Sequence, residues 1–448
     1  MTTLLRDESL PAGGPSREEI AHREIGVTAI SPATTFTLVA VFLLLVFTIP
    51  VIELVDGRRR HAAGLSTTWS HLTGIPSTVR TRVGEASSAP DVTAWRLTVA
   101  VNRAVLSGLQ EFERGLEQDS RLGQMLRPHT QLVLTRWLGS GNERVYPGRE
   151  GWLFYRQDVE YVTSPGFLEP RQIARRIAAT PEWAEPPQPD PRAALRLFKR
   201  DLNARGITLV VMPTPVKPTT HPEMLAWRRP GAPPVQNASY ASFVAELDRA
   251  GVIVFDAAGV LAANSRSSPQ YVATDTHWRP EAMEAVAEQL ASFVIARVPL
   301  PLVPEPGYRL ERTEVRFPGD IARMLDLPGG AILFPPNHVW PTRVLHRDGS
   351  TWRPSRDADV LVLGDSFSNI YSVESVGAGS SAGLVEHLSY ILQRPIDRLV
   401  QNGDGAFATR TLLQQDSSRL AGKRVVVYQF ATRELTFGDW RLLPLPPS

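Results

Sequence analysis

Three side chains in this sequence have the types and neighbours that acyl transfer needs. Ser366 stands in 360-VLVLGDSFSNIYS-372, directly after an apolar run that reads as a buried strand. In an open α/β sheet, ligands bind just beyond the carboxyl ends of strands, so a serine there is placed to act as a nucleophile. Gly364 is expected to permit a tight turn that exposes the hydroxyl, and the backbone N–H groups after the turn are placed to meet an oxyanion. The same tripeptide also fits a helix N-cap, in which Asp or Ser after a strand caps the next helix. Asp275 and His277 lie two residues apart in 273-ATDTHWRPEA-282. In an extended segment their side chains share one side. A carboxylate beside an imidazole holds its tautomer and stabilises the imidazolium, which would let His277 act as general base on Ser366. A D-x-H string also fits a surface turn or a pair of metal ligands. No other histidine stands at convincing ligand spacing, so no metal is expected.

Such residues need a scaffold that holds them at strand ends, and residues 145–440 read as one. Apolar runs at Ile207 to Met212, Val252 to Phe255, Val360 to Leu363 and Val425 to Phe430 read as strands. Between them, Ala238 to Ala250, Pro280 to Val298 and Leu384 to Leu392 read as helices; Met283, Val286, Leu290 and Val294 share one face of the second. Strands apolar throughout suit a parallel sheet covered on both faces, and their alternation with helices predicts a doubly wound α/β fold. The Pro-rich stretch 181–191 is expected to be a surface loop.

Together these strings resemble the SGNH-hydrolase-like domain of the alginate O-acetyltransferases AlgJ and AlgX. Gly364-Asp365-Ser366 with Phe367-Ser368, and Asp275-Thr276-His277-Trp278 upstream, carry the resemblance. So do 148-GREGWLFYRQD-158, 213-PTPVKPTTHPE-223, 319-GDIARMLDLP-328 and 430-FATREL-435, in the family's order. The Asp/His pair precedes the serine, as in AlgJ and AlgX and unlike ordinary SGNH esterases; a triad is defined by geometry, so the swap is harmless. The resemblance implies an acetyl-serine at Ser366 that passes its acetyl group to a sugar hydroxyl, with no cofactor. It implies an oxyanion hole from the Ser366 backbone and groups in 402-NGDGA-406, with Asn402, Gly403 and Gly405 as candidates; a plain Asn-Gly turn is the other reading. Trp278, Tyr371 and Arg433 are candidates to line the sugar site or to be structural. An esterase would use the same triad with water as acceptor, and a catalytically dead polysaccharide-binding or assembly protein is the non-enzymatic alternative.

The remaining sequence sets the context. The 48 basic and 46 acidic residues nearly cancel, leaving no electrostatic footprint for nucleic acid. Cysteine is absent, which excludes disulfides and thiol chemistry. No charge occurs from Gly26 to Ile52, and about 20 apolar residues suffice to span a bilayer. One transmembrane helix is therefore expected at 26–55, in preference to a buried soluble helix or a cleaved signal peptide. It follows a polar tail at 1–25 and precedes a membrane-proximal helical stalk at 56–144; residues 441–448 form a tail. Arg17 and Arg23 flank the apolar segment on one side and Arg58, Arg59 and Arg60 on the other, a slight bias toward a cytoplasmic C-terminal domain. The resemblance implies the opposite: a periplasmic catalytic domain on an inner-membrane anchor. It implies a polysaccharide acceptor, and a membrane-bound O-acyltransferase-type partner as acetyl donor. With its anchor, and with the chain ending soon after Glu434, the sequence is closer to AlgJ than to AlgX, whose carbohydrate-binding module is not expected here.

Overall fold

The computed structural model describes residues 31–62, 68–88, 93–119, 121–181, 184–226, 233–328, 333–403 and 405–446. The expected polar tail at 1–25 lies outside them. Two compact units divide between Gln124 and Met125. Among the described residues the first carries α1 (Pro32–Ala62), α2 (Thr68–Ser87) and α3 (Ala94–Asp119). α1 exposes Phe36, Phe42, Leu44 and Phe47. Among the described residues no helix is long and apolar enough to cross a membrane, so the span expected at 26–55 is not established by the fold. A further helix, α4 (Arg121–Leu138), contains the division.

The second unit is built on a five-stranded sheet. Its strands are β1 (Thr208–Thr214), β2 (Ile253–Val254), β3 (Val360–Gly364), β4 (Asp397–Val400) and β5 (Val425–Ala431). They lie in the order β4-β3-β5-β1-β2 and every pairing is parallel. Side chains of successive strand residues leave on opposite faces, and both faces are covered. Val210, Met212, Val360, Val362, Val425 and Val427 enter one core with α8 (Pro280–Ile295) and α11 (Leu384–Leu392). The alternate residues Leu209, Val211, Leu361, Leu363, Val426 and Tyr428 enter the other, with α6 (Pro191–Asn203) and α7 (Tyr240–Arg249). This is the doubly wound arrangement the apolar strands predict. β4 is absent from the sequence reading; it is an edge strand whose Asp397 is held by Arg419 at 2.5 Å.

The registers bring the strand ends level. Gly364 pairs with Val400, and Ala431 with Thr214. The segments after β1, β3, β4 and β5 therefore leave from one edge, where α10 (Ser366–Asn369) and α12 (Glu434–Phe437) begin. Two more helices support this edge, α5 (Arg156–Thr163) and α9 (Asp320–Met324).

Candidate active site

Ser366 is the first residue of α10, and Asp365 before it is the helix N-cap. Asp365 Oδ1 accepts the Phe367 N–H at 2.9 Å, satisfying a donor the helix leaves open. Capping thus falls to Asp365 and not to Ser366. Asp365 is further fixed to β5. It accepts from Gln429 Nε2 at 2.9 Å and from the Ala431 N–H at 2.7 Å, and its own N–H donates to Gln429 Oε1 at 2.9 Å. Gly364 differs from expectation. Its backbone is not in the left-handed region; a Cβ there would lie 2.3 Å from Ser368 Oγ and 3.1 Å from Gln429 Oε1. The glycine provides space for this network, not an unusual turn.

Asp275 and His277 meet through a tight loop and not through an extended segment. Tyr271 and Trp278 form an antiparallel bridge, and the Val272 N–H donates to His277 O at 3.1 Å. Between them Asp275 Oδ1 accepts the His277 backbone N–H at 3.0 Å and lies 2.7 Å from His277 Nδ1. Thr276 Oγ1 donates to Asp320 Oδ2 at 2.5 Å and turns its lone pairs to Nδ1, 3.1 Å away. Two acceptors around Nδ1 require the proton to sit there, which leaves Nε2 as the basic nitrogen. Nε2 is buried and has no hydrogen-bond partner.

Burial alone would raise the Asp275 carboxyl and lower the imidazole. For Asp275 the His277 charge and hydrogen bonds, with the Asp320 and His277 backbone N–H groups, outweigh burial and hold it at about 2. For His277 the charge and hydrogen bond of Asp275, then the charge of Asp320, outweigh burial and raise it above the ordinary imidazole value. Asp320 is pushed up to about 6 by burial and by Asp275. Asp275, His277 and Asp320 lie close enough to share an ion, but the carboxylate oxygens and His277 Nδ1 are already hydrogen-bonded to one another or to Thr276 and the Asp320 backbone.

Phe367 links the two halves. It follows Ser366 directly, and its buried ring lies 4.9 Å from that of His277 and edge-on to Trp278 at 5.4 Å. No hydrogen bond joins Ser366 to His277 in this structure; such bonds are often long before substrate binds. Ser366 lines a small open cleft together with Gly403, Gly405, Gln429, Arg433 and Glu434. Asp275 and His277 are not in its lining.

The other expected residues divide. Gly403 and Gly405 take positive φ, 88° and 73°, and border the cleft. Asn402 is exposed, and its Oδ1 accepts from Asn369 Nδ2 at 3.4 Å. Arg433 borders the cleft, and its Nη1 donates to buried Asp158 at 3.0 Å; Asp158, Asp365 and Glu434 keep it charged against burial. Trp278 and Tyr371 are fully buried, and Tyr371 Oη donates to Trp278 O at 2.7 Å. Their rings pack the core beneath the dyad and do not line a sugar site.

Sequence reasoning missed Asp320, Lys217, Asp158 and Gln429. Lys217 Nζ is fully buried, donates to Leu153 O at 2.8 Å and Ala273 O at 3.1 Å, and so ties down the start of the dyad loop. Burial lowers Lys217 to about 8 against the opposing charges of Asp275, Asp320 and Asp158. Lys217, Asp320 and Asp158 all fall inside strings that carry the family resemblance, which was the signal available for them.

A serine at the end of a parallel strand, with an Asp–His dyad on a loop at the same sheet edge, defines an SGNH-hydrolase-like domain. A family model described as "SGNH hydrolase-like domain, acetyltransferase AlgX" matches residues 145–432. The chain belongs to this AlgJ/AlgX-like family. "Probable alginate O-acetylase AlgJ" of Pseudomonas aeruginosa is 29% identical over 154 residues, 34% of each chain. The protein of the same name from Pseudomonas syringae is 23% identical over 303 residues, 66% of this chain and 70% of that one. The chain thus spans about a third of the first relative's length and 70% of the second's. The solved O-acetyltransferase domain of Pseudomonas putida AlgJ has a TM-score of 0.50 at 21% identity, covering 66% of this chain and 93% of that one, a likeness of fold.

Proposed function

We propose that this chain is a membrane-anchored O-acetyltransferase that moves acetyl groups onto hydroxyls of an exported polysaccharide through an acetyl-serine at Ser366. The observation that carries the reading is the dyad: Asp275 holds the Nδ1 proton of His277 at 2.7 Å, which leaves Nε2 basic and unpartnered beside Phe367, the neighbour of Ser366. In the first half-reaction Ser366 Oγ gives its proton to Nε2 and bonds to the acetyl carbon. The donor's leaving group departs with that proton. In the second half-reaction a sugar hydroxyl gives its proton to Nε2 and attacks the acetyl carbon, and Ser366 Oγ leaves and recovers the proton. Backbone N–H groups at the start of α10 and in the 402–405 loop would meet the oxyanion, and Arg433 would favour negative charge in the cleft.

The uncharged run 26–52, with the apolar surface of α1, supports an anchor. On this reading residues 1–25 are a cytoplasmic tail, 56–144 a stalk and 145–440 a periplasmic catalytic domain. Its acetyl groups would come through a membrane-bound O-acyltransferase-type partner. A C-terminal alkaline phosphatase fusion should be active; an inactive one, with an active cytoplasmic reporter at the same site, removes the topology and the partner.

Activity is tested on the full chain with a chromogenic acetyl ester and an oligosaccharide acceptor. Ester cleavage with acetylated oligosaccharide as product is expected, and Ser366→Ala should lower turnover by about three orders of magnitude or more. Cleavage without sugar acetylation would make the protein an esterase. Undiminished turnover in the alanine variant would exclude Ser366 as nucleophile.

A further inference from the structure

We propose that Asp320 is a positioning residue of the acyl-transfer site: it fixes the Asp275–Thr276–His277 loop and sets a second carboxylate beside the base. The inference rests on the acyltransfer reading above and deepens it.

Asp320 touches every residue of that loop. Its backbone N–H donates to Asp275 Oδ2 at 2.8 Å, so Asp275 has one oxygen for His277 and the other for Asp320. Its side chain accepts from Thr276 twice, from the N–H at 2.7 Å and from Oγ1 at 2.5 Å. Because Oγ1 donates to Asp320, it offers only lone pairs to His277 Nδ1. The hydroxyl therefore transmits the negative charge of Asp320 into the choice of tautomer. Asp320 Oδ2 itself lies 3.9 Å from Nδ1.

The backbone around Asp320 is fitted to the loop as well. A Cβ on Gly319 would lie 2.0 Å from Thr274 O, so only glycine lets α9 begin this close. The Ala322 N–H then donates to Thr274 O at 3.2 Å. Asp275 and Asp320 favour the charged form of His277 and Arg433 opposes it, and Asp158 interacts with it as well. Lys217 and Asp158 complete the buried set around the two carboxylates. With Asp320 charged, His277 gains a second stabiliser for the imidazolium formed when Ser366 gives up its proton.

The test compares the wild-type full chain with Asp320→Asn, which keeps the shape and removes the charge. The first readout is the pH profile of kcat/KM for acetyl-ester cleavage. The second is the titration of His277 by NMR of 13C-labelled histidine, assigned among the nine histidines with His277→Asn. In Asp320→Asn the acid limb and the His277 titration should both move down by about one pH unit, with KM within about twofold of wild type and kcat reduced. Asp320→Glu, which keeps the charge, should hold the limb at its wild-type position. An Asp320→Asn limb and titration that do not move overturn the proposal. So does a wild-type His277 that titrates at or below the ordinary imidazole value, a result that needs no variant to fold. If the wild type never acylates Ser366, the functional reading fails alone, and the His277 titration still decides whether Asp320 acts on the base.

Discussion

At the scale of the residue, the Asp275–His277 pair ties stability to pH in a direction opposed to activity. Asp275 is held at about 2, below its unfolded value of about 3.9, so its stabilising contribution is present above that value and is lost as pH falls through the folded one. His277 is raised, so its contribution is complete below about 6.5 and disappears as pH rises through the folded value. The pair stabilises most between about pH 4 and 6.5, where His277 is protonated and cannot accept a proton from Ser366. Thermal midpoints measured against pH should therefore peak in mildly acid buffer while turnover climbs toward higher pH. His277→Gln should flatten the acid-side maximum, and an unchanged curve would refute the linkage. Asp158 gives a second prediction. It is the buried partner of Arg433, and Asp158→Asn should cost about 3 kcal/mol in denaturant unfolding, because the guanidinium loses its paired charge. The Asp275–His277 contact and the strand-end position of Ser366 were legible in the sequence because each sits in a short string with its neighbours. Asp320 and Asp158 were not, because their roles arise only when segments 44 and 275 residues away in sequence fold against them.

At the scale of the element, four of the five strands were readable because they are buried on both faces and apolar throughout. β4 escaped because an edge strand with Asp397 and Arg398 carries no such run. The dyad loop escaped for another reason: the two-residue spacing fits an extended strand, but the backbone turns so that Asp275 can cap the His277 N–H. That turn depends on α9 sitting against Thr274. In Gly319→Ala the new methyl meets backbone, which has no rotamer to move. We expect a loss of about 100-fold in kcat, since displacing a catalytic group by about 1 Å has that effect, with far-UV circular dichroism unchanged. Gly364→Ala meets a side-chain hydroxyl instead. It should lower stability by about 1–3 kcal/mol through overpacking, read as a lower midpoint of thermal unfolding. A Gly319→Ala enzyme with full kcat would show that α9 does not set the dyad.

At the scale of the whole molecule, the fold class followed from the alternation of strands and helices, and the family match begins at residue 145. In the first unit the sequence offered an uncharged apolar run and helical patterning. α2 and α3 are helices within the segment read as a helical stalk, but nothing in residues 68–119 carries a chemical signature. The strand order has a consequence for how the molecule comes into being. β5 is the last of the five strands to leave the ribosome, yet it lies at the centre, between β3 and β1. Without residues 425–431 no strand joins β1–β2 to β3–β4, and an unpaired strand edge is open to pairing with the wrong chain. The last pairing joins segments more than 200 residues apart, from Thr208 to Val425, so closure is intrinsically slow. The growing chain already contains Ser366, Asp275 and His277, but it has no clamp on Asp365 until Gln429 and Ala431 are in place. On the acyl-transfer proposal, the site would gain its chemistry only once the last strand has been placed.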